Sequence, residues 1–281
     1  MRRKTHSHND VGRSADRADL RFATFLAPKL MPTYQAIADA VGRHLDMSTQ
    51  LVVEDSYERC LEDEHEVCFV CSLPYIMFDR EDKAPAMPVA APVLRGERYQ
   101  NTPIYFSDVI VRRDSPISSF IDLRNHSWAY NEPWSQSGYG VTRYHLLTLG
   151  ETNGFFGDIV ASGFHEESIR MVARGLVDGS AIDSHVLELE LLENPELDRL
   201  LKVVDVLGPS TVQPIAVSKR LSDSLHTAIR DVLVGLHEDP EVQPLLELGL
   251  VDHFVAVGPS SYDDIRAMVD ACETAGFMTL A

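Results

Sequence analysis

The chain has 281 residues, 44% of them hydrophobic and 24% charged, with 43 acidic against 25 basic side chains and a formal net charge of −18. Such a composition builds the core of one large domain or of two lobes. It excludes a membrane-spanning helix, because no run of about 18 uncharged apolar residues occurs, and it argues against nucleic acid as a partner, which would want a basic face.

The first residues, MRRKTHSHND, are basic, but no apolar core follows them. No secretory signal is therefore expected, and residues 1–18 read as a disordered tail. LRFATFLA (20–27) reads as a strand, and MPTYQAIADAVGRHL (31–45) has helical spacing with Pro32 in the first turn, where its missing N–H costs nothing. Thr49–Val53 and Val67–Cys71 are further strand candidates, followed by a charged, proline-rich loop, REDKAPAMP. IYFSDVIVRRDSPI is an extended strand entering a turn, HSWAY another strand, and VTRYHLLTLG a helix closed by Gly150.

Then the pattern restarts. DIVASG is a strand, HEESIRMVARGL a helix with Ile169, Val172 and Leu176 on its apolar face, GSAID a strand and SHVLELELLE a helix. LLKVVDVLG and VQPIAVSK are strands, and LSDSLHTAIRDVLVGLHED is an amphipathic helix capped by Ser222 or Asp223. Two more helical stretches follow, with DHFVAV between them. Alternating strands and helices imply βαβ units and mainly parallel sheets. The expected architecture is two α/β lobes: residues 19–107 and 209–281 form the first, together with the C-terminal helices, and 108–208 form the second. Two strand-like crossings then make a hinged clamp.

Of the four cysteines, Cys68 and Cys71 form a C-x-x-C spacing in an apolar run, while Cys60 and Cys272 stand apart. A zinc site would need a second such pair, and a redox motif would open a helix. Buried thiols are the expectation, and no metal is expected.

The stretch NEPWSQSGYG (131–140) joins a strand to a helix. Backbone N–H groups at a helix start lack intrahelical partners, and the helix dipole favours negative charge there. Ser135 and Ser137 add hydroxyl donors, and Gly138 permits close approach, so the segment reads either as a helix cap or as an oxyanion socket. A nucleophilic serine is disfavoured, because neither serine has the glycine two residues before it that G-x-S-x-G demands. His165 opens the next helix at the same strand ends, where ligands collect in open α/β sheets. Asp183 ends the following strand, either as a cap or as a cleft residue. Tyr105 lies in the first crossing, and Trp128 and Trp134 are candidates for core and cleft wall, two roles that the sequence does not separate.

Four segments in order, YFSDVIVRRDSPISSFIDLR, NEPWSQSGYG, SGFHEESIRMVARGLVDGSAIDS and LGPSTVQPIAVSKRL, resemble the substrate-binding proteins of phosphate/phosphonate-type ABC transporters. The resemblance implies a type 2 periplasmic-binding-protein clamp. It also implies an oxyanion grip at Ser135, Gln136, Ser137 and Gly138, a histidine at His165, and tyrosines at Tyr105 and Tyr57. Protonated His165 would favour a dianion. Gln213 stands where relatives carry a carboxylate for an ammonium group, which disfavours an aminoalkylphosphonate, and Gln136 would narrow the pocket. The implied function is capture of a small phosphorus oxyanion (phosphonate, phosphite or phosphate) by a monomer, with an ABC-transporter permease as partner and with no cofactor or catalysis. Relatives work outside the cytoplasmic membrane, whereas a chain without a leader would be cytoplasmic. A cytoplasmic sensor, or an enzyme acting on a phosphorylated metabolite, is the alternative on the same fold.

Overall fold

Strand and helix periodicities alternate along the chain, and the computed structural model, which describes residues 19–26, 28–54, 56–57, 59 and 64–281, collects them into two separate sheets. The expected tail, residues 1–18, and Cys60 lie outside the described residues. The strands are β1 (Leu20–Thr24), β2 (Thr49–Val53), β3 (Val67–Phe69), β4 (Ala86–Leu94), β5 (Ile104–Arg112), β6 (Trp128–Tyr130), β7 (Ile159–Ala161), β8 (Gly179–Asp183), β9 (Leu201–Thr211), β10 (Ile215–Ser218) and β11 (Val251–Ala256). The helices are α1 (Met31–Leu45), α2 (Ser72–Arg80), α3 (Val141–Thr148), α4 (His165–Ala173), α5 (Ser184–Glu193), α6 (Leu197–Leu200), α7 (Asp223–Gly235), α8 (Gln243–Leu248) and α9 (Asp263–Thr274).

The first sheet has the order β11-β4-β10-β3-β1-β2 and the second β7-β6-β8-β5-β9. Both are mixed, which corrects the expectation of mainly parallel sheets. Parallel pairing is confined to β2-β1-β3 and β7-β6-β8, while β4, β5, β9, β10 and β11 pair antiparallel. The cause is the double crossing. Strand β5 carries the chain into the second sheet and β9 carries it out, so these long neighbours must run in opposite directions, and β10 re-enters the first sheet reversed.

Helices α2 and α6 and strand β4 are additional to the expected elements. Helix α2 follows Cys71 directly, and β4 contains Pro88 and Pro92 yet pairs on both sides. Proline cannot donate to a ladder; the register accordingly breaks between Ile215 and Ala216, where Ala216 faces Pro88, and again along β11. Leu176 was assigned to the apolar face of α4, but that helix ends at Ala173, Gly175 adopts φ +69°, and Leu176 is exposed. Ser222 is the cap of α7, its hydroxyl accepting the Leu225 N–H at 3.3 Å.

Each sheet is covered on both faces. Phe22, Ile37, Val217 and Leu233 mark the core under α1 and α7; Tyr75, Ile76 and Ile265 mark the opposite face under α2 and α9. Trp128 is fully buried in the second sheet's core, stacked on Phe156 at 4.5 Å. Cys68, Cys71 and Cys272 are buried, as expected for small hydrophobes.

Candidate functional site

Where the two sheets meet, a cavity of about 110 Å³ opens, with room for several water-sized groups. The second sheet contributes Asn131, Glu132, Ser135, Ser137, His165, Asp183 and His185; the first contributes Tyr57, Gln213 and a set of apolar side chains. The two sides are joined by polar contacts. Tyr57 donates its hydroxyl to Phe25 O at 3.1 Å and to Glu132 Oε1 at 3.3 Å. Gln213 Nε2 donates to Asp183 Oδ2 at 2.8 Å, and Lys29 pairs with Glu190 and, at 2.8 Å, with Glu193. Trp134 packs against Tyr57 and Phe78, so this residue, a candidate for the cleft wall, bridges the two halves outside the cavity lining.

The strand-to-helix segment after β6 forms one wide turn, Gln136–Gly140, with Ser135 as its cap. Ser135 Oγ accepts the Gly138 N–H at 3.0 Å and lies 3.4 Å from Ser137 Oγ. Ser137 Oγ lies 2.9 Å from His165 Nε2. Capping and presentation of donors thus coincide: Ser135 takes the Gly138 N–H while Ser135 and Ser137 both line the cavity. The imidazole is neutral, because burial pushes its pKa down to about 3. In the tautomer that carries its proton on Nε2, His165 donates to Ser137 Oγ and the Ser137 hydroxyl proton can turn into the cavity; in the other tautomer Nε2 accepts from Ser137. His165 Nδ1 and Asn131 Oδ1 are buried without a partner among the described residues, which marks this end as polar and unsatisfied.

Three expected contacts fall elsewhere. Gln136 is fully buried but turned away from the cavity, its Nε2 donating to Ser210 Oγ at 3.3 Å and reaching Met268 Sδ at 3.3 Å. It braces the turn against β9 and α9 instead of narrowing the pocket. Gly138 does not line the cavity either. A Cβ there would meet Asn131 Oδ1 at 2.0 Å and His165 Cε1 at 3.3 Å, so glycine serves close packing beneath the site. Gly138→Ala is expected to displace Asn131 and lose about 1–3 kcal/mol of stability, read by denaturant unfolding. Tyr105 is buried under the floor of the site, its hydroxyl beside those of Ser137 and Ser72 without a well-formed bond to either.

Asp183, His185 and Gln213 form a second cluster. Asp183 caps α5 by accepting the His185 N–H at 2.9 Å, and it also lines the cavity, so the cap and cleft readings both hold geometrically. Burial pushes its pKa up to about 6, opposed by the hydrogen bonds from Gln213 and the helix start. His185 Nε2 donates to Gly249 O, which holds the ring in place, and burial lowers its pKa. Glu132, overlooked among the small donors of its segment, also faces the cavity, with its pKa raised by burial. Among the described residues no lysine or arginine lines the cavity.

Residues 22–262 match the family model for the periplasmic substrate-binding protein of phosphonate ABC transporters. The phosphonates-binding periplasmic protein of Escherichia coli is 27% identical over 150 residues, covering 52% of this chain and 44% of that protein, so the match spans less than half the length of that curated relative. Two solved structures share the fold. One is a binding protein component of an ABC phosphonate transporter from Pseudomonas aeruginosa, with a TM-score of 0.78 at 19% identity over 92% of this chain and 88% of that one. The other, PhnD1 from Prochlorococcus marinus in complex with methylphosphonate, has a TM-score of 0.79 at 14% identity over 90% of this chain and 98% of that one.

Proposed function

The chain belongs to the family of periplasmic substrate-binding proteins of phosphonate ABC transporters, and from that premise we propose that it captures a small phosphorus oxyanion, a phosphonate, phosphite or phosphate, and delivers it to a permease. The observation that carries the proposal is the donor cluster at the polar end of the cavity: Ser135 and Ser137, backed by His165 at 2.9 Å, at the starts of two successive helices. The hydroxyl protons of both serines and the positive end of α4 favour an anion at one point.

Tyr57 and Gln213 close the site from the other side. Clamping would turn on the paired strands β5 and β9, with 108–208 moving as one lobe against 19–107 and 209–281. The proposed working form is a monomer. The proposed place of work is the periplasm, as for the family.

The reading is one of binding without turnover. Ser137 and His165 form a pair, but His165 Nδ1 has no carboxylate partner among the described residues, and Asp183 is engaged with Gln213 and the His185 N–H. A hydrolytic triad needs that third group to orient the base.

Isothermal calorimetry with methylphosphonate, phosphite and phosphate tests the proposal. At least one is expected to bind with a Kd in the micromolar range or tighter. Millimolar or absent binding of all three refutes it.

A further inference from the structure

The cavity has two chemically different ends. Opposite the serine cluster, its walls are Leu30, Ile37, Phe69, Ile215, Val251 and Phe254, drawn from α1, its approach and three strands of the first sheet. Two polar groups beside this wall are already engaged: Thr33 Oγ1 donates to Leu245 O at 3.4 Å and His185 Nε2 donates to Gly249 O. Water would find few partners there, and apolar cavities of this kind stay dry and accept hydrocarbon. Meanwhile Asp183 already accepts from Gln213 Nε2 and the His185 N–H, one bond on each oxygen, so an ammonium would have to share this carboxylate with both.

Building on the phosphonate reading above, we propose that the apolar end receives a hydrocarbon substituent, and that the preferred ligands are alkyl- or arylphosphonates with several carbons. The head sits on Ser135 and Ser137, and the tail runs toward Ile37 and Phe254. Phosphate and phosphite would leave the apolar end empty. A 2-aminoethyl tail would place a cation against Leu30 and Ile37, and the two carboxylates that line the cavity, Glu132 and Asp183, are already accepting from Tyr57, Gln213 and the His185 N–H.

Calorimetry with methyl-, ethyl-, propyl-, phenyl- and 2-aminoethylphosphonate tests this. Affinity is expected to rise about fourfold per methylene from methyl to propyl, with the aminoethyl compound weaker than propyl. In the Ile37→Phe variant, propyl is expected to lose its advantage over methyl. If methyl, propyl and phenyl bind the wild type alike, or the aminoethyl compound binds tightest, the hydrocarbon tail is refuted while the phosphonate reading stands. If no phosphonate binds, the phosphonate reading itself falls. The wild-type series decides the matter even if Ile37→Phe fails to fold.

Discussion

Ser137→Ala is expected to weaken methylphosphonate binding by roughly 10- to 150-fold, the worth of one hydrogen bond to a charged group in a buried site. The size follows from what this hydroxyl does. Its oxygen lies 2.9 Å from His165 Nε2, and with an anion bound the Nε2–H tautomer lets it accept there and donate its own proton to a ligand oxygen, so its removal would break a relay of two bonds. The same substitution leaves buried Nε2 without a partner, which costs about 1–3 kcal/mol of stability; thermal unfolding would register that loss separately from the affinity. Gln136→Ala is the control one residue away. Its amide contacts Ser210 and Met268, away from the cavity, so affinity should change little. A folded Ser137→Ala protein that binds as tightly as wild type would remove Ser137 from the grip, and a large loss in Gln136→Ala would show that the turn's bracing, not its donors, controls affinity.

The contrast between these neighbours shows where sequence reading works. Ser135, Ser137 and His165 were legible because each stands at a strand-to-helix junction, where backbone donors are free whatever the tertiary detail. Gln136 was misplaced because a wide turn directs adjacent side chains to opposite sides, and nothing in the string SQSG encodes that direction. Glu132 passed unnoticed because a carboxylate next to a proline in a loop reads as a solvated surface group; only the approach of Tyr57 from the other sheet buries it. The apolar end was invisible for a different reason. Ile37 repeats with helical period like any core residue, and a wall of a cavity has the same pattern as a wall of the core. Strand β4 was hidden by its prolines, whose cost is absorbed where the register shifts beside β10.

Asp183→Asn is expected to stabilise the unliganded protein above pH 7 and to leave it unchanged near pH 4. Burial raises this carboxyl from 3.8 to about 6, although Gln213 and the helix start favour its charged form. The shift of roughly 2 units, at about 1.4 kcal/mol each, amounts to roughly 3 kcal/mol. Its sign is unfavourable at neutral pH. Between pH 4 and 6 the folded state holds a proton that the unfolded chain has released, so stability falls as pH rises through this window and stays reduced above it. Asparagine cannot ionise, yet its amide oxygen still caps α5, and Gln213 can rotate to accept from its nitrogen. Denaturant unfolding at pH 4 and pH 8 separates the effects: a gain at pH 8 alone identifies the buried charge, whereas an equal change at both values assigns the effect to packing. The same charge bears on binding. An anion held at Ser137 shares the cavity with Asp183, so alkylphosphonate affinity in the wild type should strengthen as pH falls from 8 toward 6, and Asp183→Asn should flatten that dependence. A pH profile unaltered by the substitution would mean that Asp183 lies outside the electrostatic reach of the bound head group.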